Sequence, residues 1–180
     1  FLARRGLDVT LLEKDHIARH ASGVNAGGVR RLGRDPVEIP LSLASMDIWQ
    51  SLQGHIGDHV DAFHPCFYLK VALDEDGQAL GVDRIDALQK VGFHHEIWLE
   101  DSEIQRRLPH LSCPTYGGIL VEGDGWALPW RIVQGFASAA VRNGACLIED
   151  CRVISLERSG GEWQVHTTKG LFEAAQVVNC

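Results

Sequence analysis

The chain has 180 residues, 45% of them hydrophobic and 23% charged, the proportions of an ordinary folded domain. Its net charge of −7 and pI near 5.7 argue against the basic face of a nucleic-acid binder, and no apolar run approaches the roughly 18 residues of a membrane span. Cys66, Cys113, Cys146, Cys151 and Cys180 are odd in number and include no CxxC pair, so they read as neither a disulfide framework nor a zinc site and point to a reducing, cytoplasmic compartment.

Residues 1–6, apolar and basic before Gly6, read as the last turn of a helix closed by a glycine just past its C-terminus. Residues 8–13 form a short β-branched and apolar run ending in Glu13, the pattern of a buried parallel strand. A loop over 14–34 follows, with Gly23, Gly27, Gly28 and Gly33 and basic residues at 19, 30, 31 and 34. A helix is expected over 39–53, with Pro40 in its first turn and Leu41, Ala44, Ile48 and Trp49 on its apolar face. From 61 to 122 the pattern changes. Residues 66–73 alternate like a strand, 74–77 are turn-like, and 78–91 read as a helix with Leu80, Ile85, Leu88 and Val91 inward. A short strand at 96–99, a short helix at 101–108 and a strand at 116–122 complete this stretch. Its nine acids against two bases between 74 and 103 read as a solvated outer face. A strong helix is expected over 129–143, with Ile132, Val133, Phe136, Ala139 and Ala140 on one stripe and Asn143-Gly144 ending it. Then come a strand at 145–149, a hairpin of 152–157 with 162–168 across Ser159-Gly160-Gly161, a third meander strand at 170–174, and a buried strand at 176–179. Both ends look interrupted, so the sequence is expected to be an interior piece of a longer protein.

The opening order of helix end, Gly6, strand and Glu13 is the second half of a βαβ dinucleotide-binding unit, in which the acid accepts hydrogen bonds from the adenosine ribose. The glycine fingerprint of such a unit would fall before Phe1. In the loop, small residues over 21–30 let a backbone approach a flat or phosphorylated ligand, and Ser22 and Asn25 are candidates to hydrogen-bond a diphosphate. A flexible surface loop is the alternative.

Three stretches together resemble one family. Leu2-Ala3-Arg4-Arg5-Gly6 leads to Glu13-Lys14; Ala21-Ser22-Gly23-Val24-Asn25-Ala26-Gly27-Gly28-Val29-Arg30 forms the loop; Asp124-Gly125-Trp126-Ala127-Leu128-Pro129 matches a D-G-x-x-x-P entry into a helix. Their order is similar to that in the flavin-dependent amine oxidoreductases of the D-amino acid oxidase-like superfamily, the group of glycine oxidase, sarcosine oxidase and D-amino acid dehydrogenase. Residues 61–122 match only in outline, and Cys180 stands where the family usually has Ala.

The resemblance implies an α/β fold: a Rossmann-like FAD-binding domain with a β-meander, interrupted by an α+β substrate domain and incomplete at both ends. Residues 1–60 and 123–180 would be the two parts of the FAD domain, and 61–122 the substrate segment. It further implies that Glu13 holds the ribose, that Lys14, Ser22, Gly27, Gly28 and Val153 give backbone contacts to FAD, and that Val153 meets the adenine. The chemistry would be hydride transfer from a carbon bearing an amine to flavin N5, from a small amine or amino-acid substrate, with O2 or a quinone as acceptor. Peripheral contact with the inner membrane and a homo-oligomer stay open. A non-catalytic flavoprotein subunit and a flavin hydroxylase are the alternatives. Arg30 and Arg31 are candidates for a positive flavin environment, or else pair with Asp35 and Glu38.

Other features carry less. His55 and His59 share an i, i+4 spacing with His64 nearby, but no further metal ligands are evident. His94 and His95 adjoin a strand and are expected to point to opposite faces, as surface residues or with one reaching a substrate pocket. Trp49, Trp126 and Trp130 are expected in packing, and Trp98 and Tyr68 as pocket walls. Neither Cys66 nor Cys113 sits in a context that matches a covalent flavin link.

Overall fold

The computed structural model describes residues 1–57, 60 and 63–180; His59 lies outside the described residues. Ala3–Arg5 form a single helical turn, closed by Gly6 in the left-handed region at φ 78° with its amide on the Ala3 carbonyl. Strands and helices then alternate as β1 (Thr10–Leu12), β2 (Gly28–Val29), α1 (Ile39–Gln50), α2 (Gln53–Ile56), β3 (Phe63–Val71), α3 (Glu75–Lys90), β4 (Ile97–Leu99), α4 (Asp101–Arg107) and β5 (Gly118–Ala127). They are followed by α5 (Pro129–Arg142), β6 (Cys146–Ile148), β7 (Val153–Ser159), β8 (Glu162–Thr167) and β9 (Gly170–Ala174).

The chain divides into two compact units. The first comprises Phe1–Ala26, Gln53–Ala62 and Leu128–Cys180, and the second Gly27–Leu52 and Phe63–Ala127. These boundaries differ from a split at 60/61 and 122/123. Residues 27–52 and 123–127 go with the middle segment, because β2 pairs antiparallel with the end of β5 and so ties the post-loop segment to that sheet.

In the first unit, β1 runs parallel to β6, with Thr10 opposite Cys146 and Leu12 opposite Ile148. Parallel pairing matches expectation; among the described residues this sheet has two strands, and Leu11 is exposed. Helix α5 presents Ile132, Gly135 and Ala139 inward, and α2 packs on it: a Cβ at Gly135 would lie 3.0 Å from Ile56 Cδ1. Gly144, at φ 92°, turns the chain out of α5 as expected. β7, β8 and β9 make the antiparallel meander, with Gly160 and Gly161 in its first turn. Residues 176–179 join no ladder among the described residues, so the expected strand there does not form.

In the second unit β5 is the central strand, with β3 along one side and β2 and β4 at the two ends of the other. It runs past Glu122 to Ala127, longer than its apolar run, because β2 and β3 supply ladder partners for Gly125 and Trp126. Leu32, Ile85, Ile119 and Val121 pack on one face with Tyr68 and Trp98, and Leu99, Ile104 and Leu120 pack on the other. Trp98 and Tyr68 are therefore core contacts. Trp98 lies directly on α3, where a Cβ at Gly81 would come 2.5 Å from its ring.

Two helices differ from their predicted patterns. In α1 the buried residues are Ile39 and Met46, whereas Leu41 is exposed. The helix carries apolar residues at 39, 43 and 46 and again at 41, 44 and 48, so periodicity allows either face. Helix α3 begins at Glu75: Asp74 is its N-cap, accepting a 2.7 Å hydrogen bond from the Gly77 amide, and Glu75 and Asp76 complement the first turn. The starting residues expected as a turn are thus helical, Ile85 and Leu88 face inward, and Leu80 and Val91 are exposed. Trp126 and Trp130 are also exposed, although Trp126 stacks on the His64 ring with centroids 4.0 Å apart.

Candidate functional site

In the first unit the candidate residues gather where β1 and β6 end. Glu13 N donates to Ile148 O at 2.9 Å, Cys151 N to Glu13 O at 2.8 Å, and Asp150 N to Asp15 O at 2.8 Å. Val153 opens β7 two residues after Cys151, so the backbone ladder brings Glu13, Lys14 and the start of the meander to one end of the parallel pair. The half-buried Glu13 carboxylate accepts the Asp15 amide on Oε1 at 2.8 Å, and its Oε2 has no protein partner among the described residues.

The following loop is shaped by its own contacts. Ile17 N donates to Glu149 Oε1 at 2.7 Å, and the His20 ring meets Asp15 Oδ2 at 2.5 Å. The hydrogen bond from His20 holds the Asp15 carboxyl below its ordinary range. The chain turns so tightly that a Cβ at Gly23 would fall 2.0 Å from Ala18 O. Asn25 Nδ2 donates to the Ala21 and Ser22 carbonyls at 2.9 and 3.2 Å, so this amide fixes the loop, while Ser22 and Lys14 are exposed. Glu13, Asp15 and His20 offer ligand atoms within 4.8 Å of one another. The bonds Asp15 makes to the His20 ring and to Glu13 account for that proximity without a cation.

The second unit holds the remaining candidates. Gly27 has φ 71°, and its carbonyl accepts Ala127 N at 2.8 Å. Gly28 pairs with Trp126, and a Cβ there would lie 2.9 Å from Tyr68 Oη. Two buried carboxylates clamp the segment after β2. Asp124 Oδ2 accepts the Arg31 and Leu32 amides at 2.9 and 3.2 Å, and its Oδ1 accepts Arg31 Nε at 2.8 Å. Arg31 also reaches the Glu122 carbonyl. Glu96 Oε1 accepts the Gly33 amide at 2.8 Å, and Arg84 grips both Glu96 oxygens at 2.8 and 2.7 Å. Burial opposes the charge on Glu96, but the bonds from Arg84 and Gly33 overcome it and hold the carboxyl below its ordinary value.

The expected partners of the arginines are therefore revised. Arg31 pairs with Asp124 rather than Asp35 or Glu38; Arg30 Nη1 donates to the Leu32 carbonyl at 2.9 Å; Glu38 is met by Arg34. Asp124 and Glu96 were not singled out for this role. The D-G pair marked the first, but Glu96 was hidden in an acidic run read as solvated. His95 sits beside both ion pairs with neither ring nitrogen hydrogen-bonded.

The family model described as FAD dependent oxidoreductase matches residues 1–180. The chain belongs to this family. FAD is the family's cofactor. An FAD-dependent oxidoreductase domain-containing protein 1 homolog of Drosophila melanogaster is 31% identical, over 96% of this chain and 34% of its own length. Mitochondrial dimethylglycine dehydrogenase of Homo sapiens is 28% identical, over 99% of this chain and 21% of its own. Among solved structures, L-proline dehydrogenase from P. horikoshii superposes with a TM-score of 0.87 at 25% identity, covering 99% of this chain and 47% of that one. The chain thus spans about a third of the length of the first curated relatives it matches. The mixed α/β fold expected for the family is the fold observed.

Proposed function

We propose that the protein containing this chain oxidises the C–N bond of a small amine or amino acid. The observation that carries the reading is the Glu13 carboxylate at the end of parallel strand β1, with one oxygen on the Asp15 amide and the other without a protein partner among the described residues. That is the acceptor a ribose diol requires in a dinucleotide fold. The bond chosen follows from relatives named for dimethylglycine and L-proline dehydrogenation.

FAD, when bound, supplies the hydride-accepting N5 that no side chain offers. The chain's part is positional. Glu13 orients the ribose; Lys14 and Ser22 offer backbone groups to the diphosphate; Val153 meets the adenine. Gly27 and Gly28 keep side chains out of the way where the backbone must approach the ring system closely. Asn25 acts through the loop it fixes. Of the two arginines, Arg31 is neutralised by Asp124, so Arg30, with no carboxylate partner among the described residues, is the better source of positive potential for a reduced flavin.

The test is the visible spectrum of the full-length flavoprotein during anaerobic addition of small amino acids and N-methylated amines. The flavin bands are expected to bleach. Flavin that stays oxidised with amines but is reduced by NADPH would replace this reading with a hydroxylase. Flavin reduced by neither would favour a non-catalytic subunit.

A further inference from the structure

We propose that His95 is an acid-sensitive latch: protonation of its ring frees residues 31–34 from the buried carboxylates that hold them, while the sheet of the second unit stays folded.

Residues 31–34 lie between β2 and the single helical turn Pro36–Glu38, and they join no strand ladder. Charged side chains hold their backbone instead. Asp124 accepts the Arg31 and Leu32 amides, Glu96 accepts the Gly33 amide, and Arg84 Nη2 donates to the Arg34 carbonyl at 2.7 Å. Two ion pairs, Arg31 with Asp124 and Arg84 with Glu96, therefore carry the segment, and their charges balance.

His95 stands among these charges. Both of its ring nitrogens are enclosed, and neither has a hydrogen-bond partner. The Phe93 ring stands edge-on to it, with centroids 6.4 Å apart. A neutral imidazole leaves one donor and one acceptor unmet there. An imidazolium leaves two donors unmet and adds a charge to a balanced set. Burial opposes that charge, and so do Arg31, after β2, and Arg84, on α3. Glu96, its neighbour in the chain, and Asp124, on β5, favour it, but arginines already engage both. A protonated ring is therefore better served by water. Moving 31–34 outward admits water and breaks bonds from side chains to backbone, but no ladder. The closed form binds the proton less readily than the open one, so acid shifts the balance toward the open one. The latch lies wholly within the second unit and does not depend on which bond the protein oxidises.

The test is amide hydrogen exchange of the full-length protein between about pH 5 and 7.5, corrected for the intrinsic pH dependence of exchange. Peptides carrying the Arg31, Leu32 and Gly33 amides are expected to gain exchange by about tenfold per pH unit below about pH 6.5, and to level off below the folded-state value of His95. Peptides from the centre of β5, around Leu120, should stay protected throughout. His95→Phe and His95→Gln, neither of which can take up a proton, should each hold the 31–33 amides at the neutral-pH rate across the range. If one of them fails to fold, the other carries the test. Exchange at 31–33 that does not change with pH, or a rise that persists in the variants, overturns the proposal. So does a rise shared equally by β5, which would be unfolding of the whole unit rather than release of the segment.

Discussion

Asp124 has no exposed surface and holds three donors from the segment that follows β2. Removing one partner of a buried pair leaves the other charge without compensation, so Asp124→Ala is expected to cost about 3–5 kcal/mol in a urea unfolding midpoint, well beyond an ordinary surface change. Two neighbouring groups contribute to the pH response, beside the lowered carboxyls of Asp15, Asp101 and Glu103. Burial pushes the His95 imidazole below its ordinary value near 6.5, with Glu96 opposing and Arg31 reinforcing that effect. An unfolded chain then binds more protons at His95 than the folded one, so its contribution is whole above about pH 6.5 and is lost as pH falls toward the folded value. Glu96, also lowered, contributes fully above about pH 4.5 and loses its contribution as pH falls through its folded value. Unfolding free energy is therefore expected to decline in two stages on acidification. His95→Phe should remove the stage just below pH 6.5 and leave the one below pH 4.5, while Glu96→Gln should reduce the second without removing it, because Asp15, Asp101 and Glu103 titrate there too. A single unaltered acid transition in both variants would contradict this assignment.

Helix α1 shows where pattern reading succeeds and where physics withholds the answer. Its existence and its proline-bearing first turn were readable, because Pro40 fits a position that needs no amide donor. Its inward face was not, because two apolar stripes share the same helical spacing. Met46 is 3% exposed and Leu41 76%. Met46→Ala is expected to cost about 2–5 kcal/mol and Leu41→Ala under about 0.5 kcal/mol, as measured by denaturant titration. The reverse order would restore the face chosen from periodicity. In α3 the acidic start was misread because Gly77 resembles turn chemistry, yet that glycine's amide is the one Asp74 caps. The meander was readable throughout, since Ser159-Gly160-Gly161 fixes its first turn locally. Of the candidate site, the strand-end Glu13 and the glycine pair were readable by position. The Asp124 and Glu96 clamps were not, because each joins segments at least 60 residues apart and no local pattern encodes such a pairing.

Both compact units are assembled from separated stretches of chain, and one is nested in the other: residues 27–52 and 63–127 of the second unit fall between the pieces of the first. Composition changes near residue 61 mark the middle segment, but the early member of its sheet, β2, is only two residues long and leaves little local pattern. Nesting also imposes an order in time. Thr10 has its ladder partner at Cys146, which emerges 136 residues later. At roughly 5–20 residues per second, a ribosome delivers β6 about 7–27 s after β1. The second unit, whose last strand ends at Ala127, has all its pieces before then. Strand β1 and Glu13 cannot close their ladder to β6 until that interval has passed, which makes this parallel pair later to form than any strand pairing of the second unit.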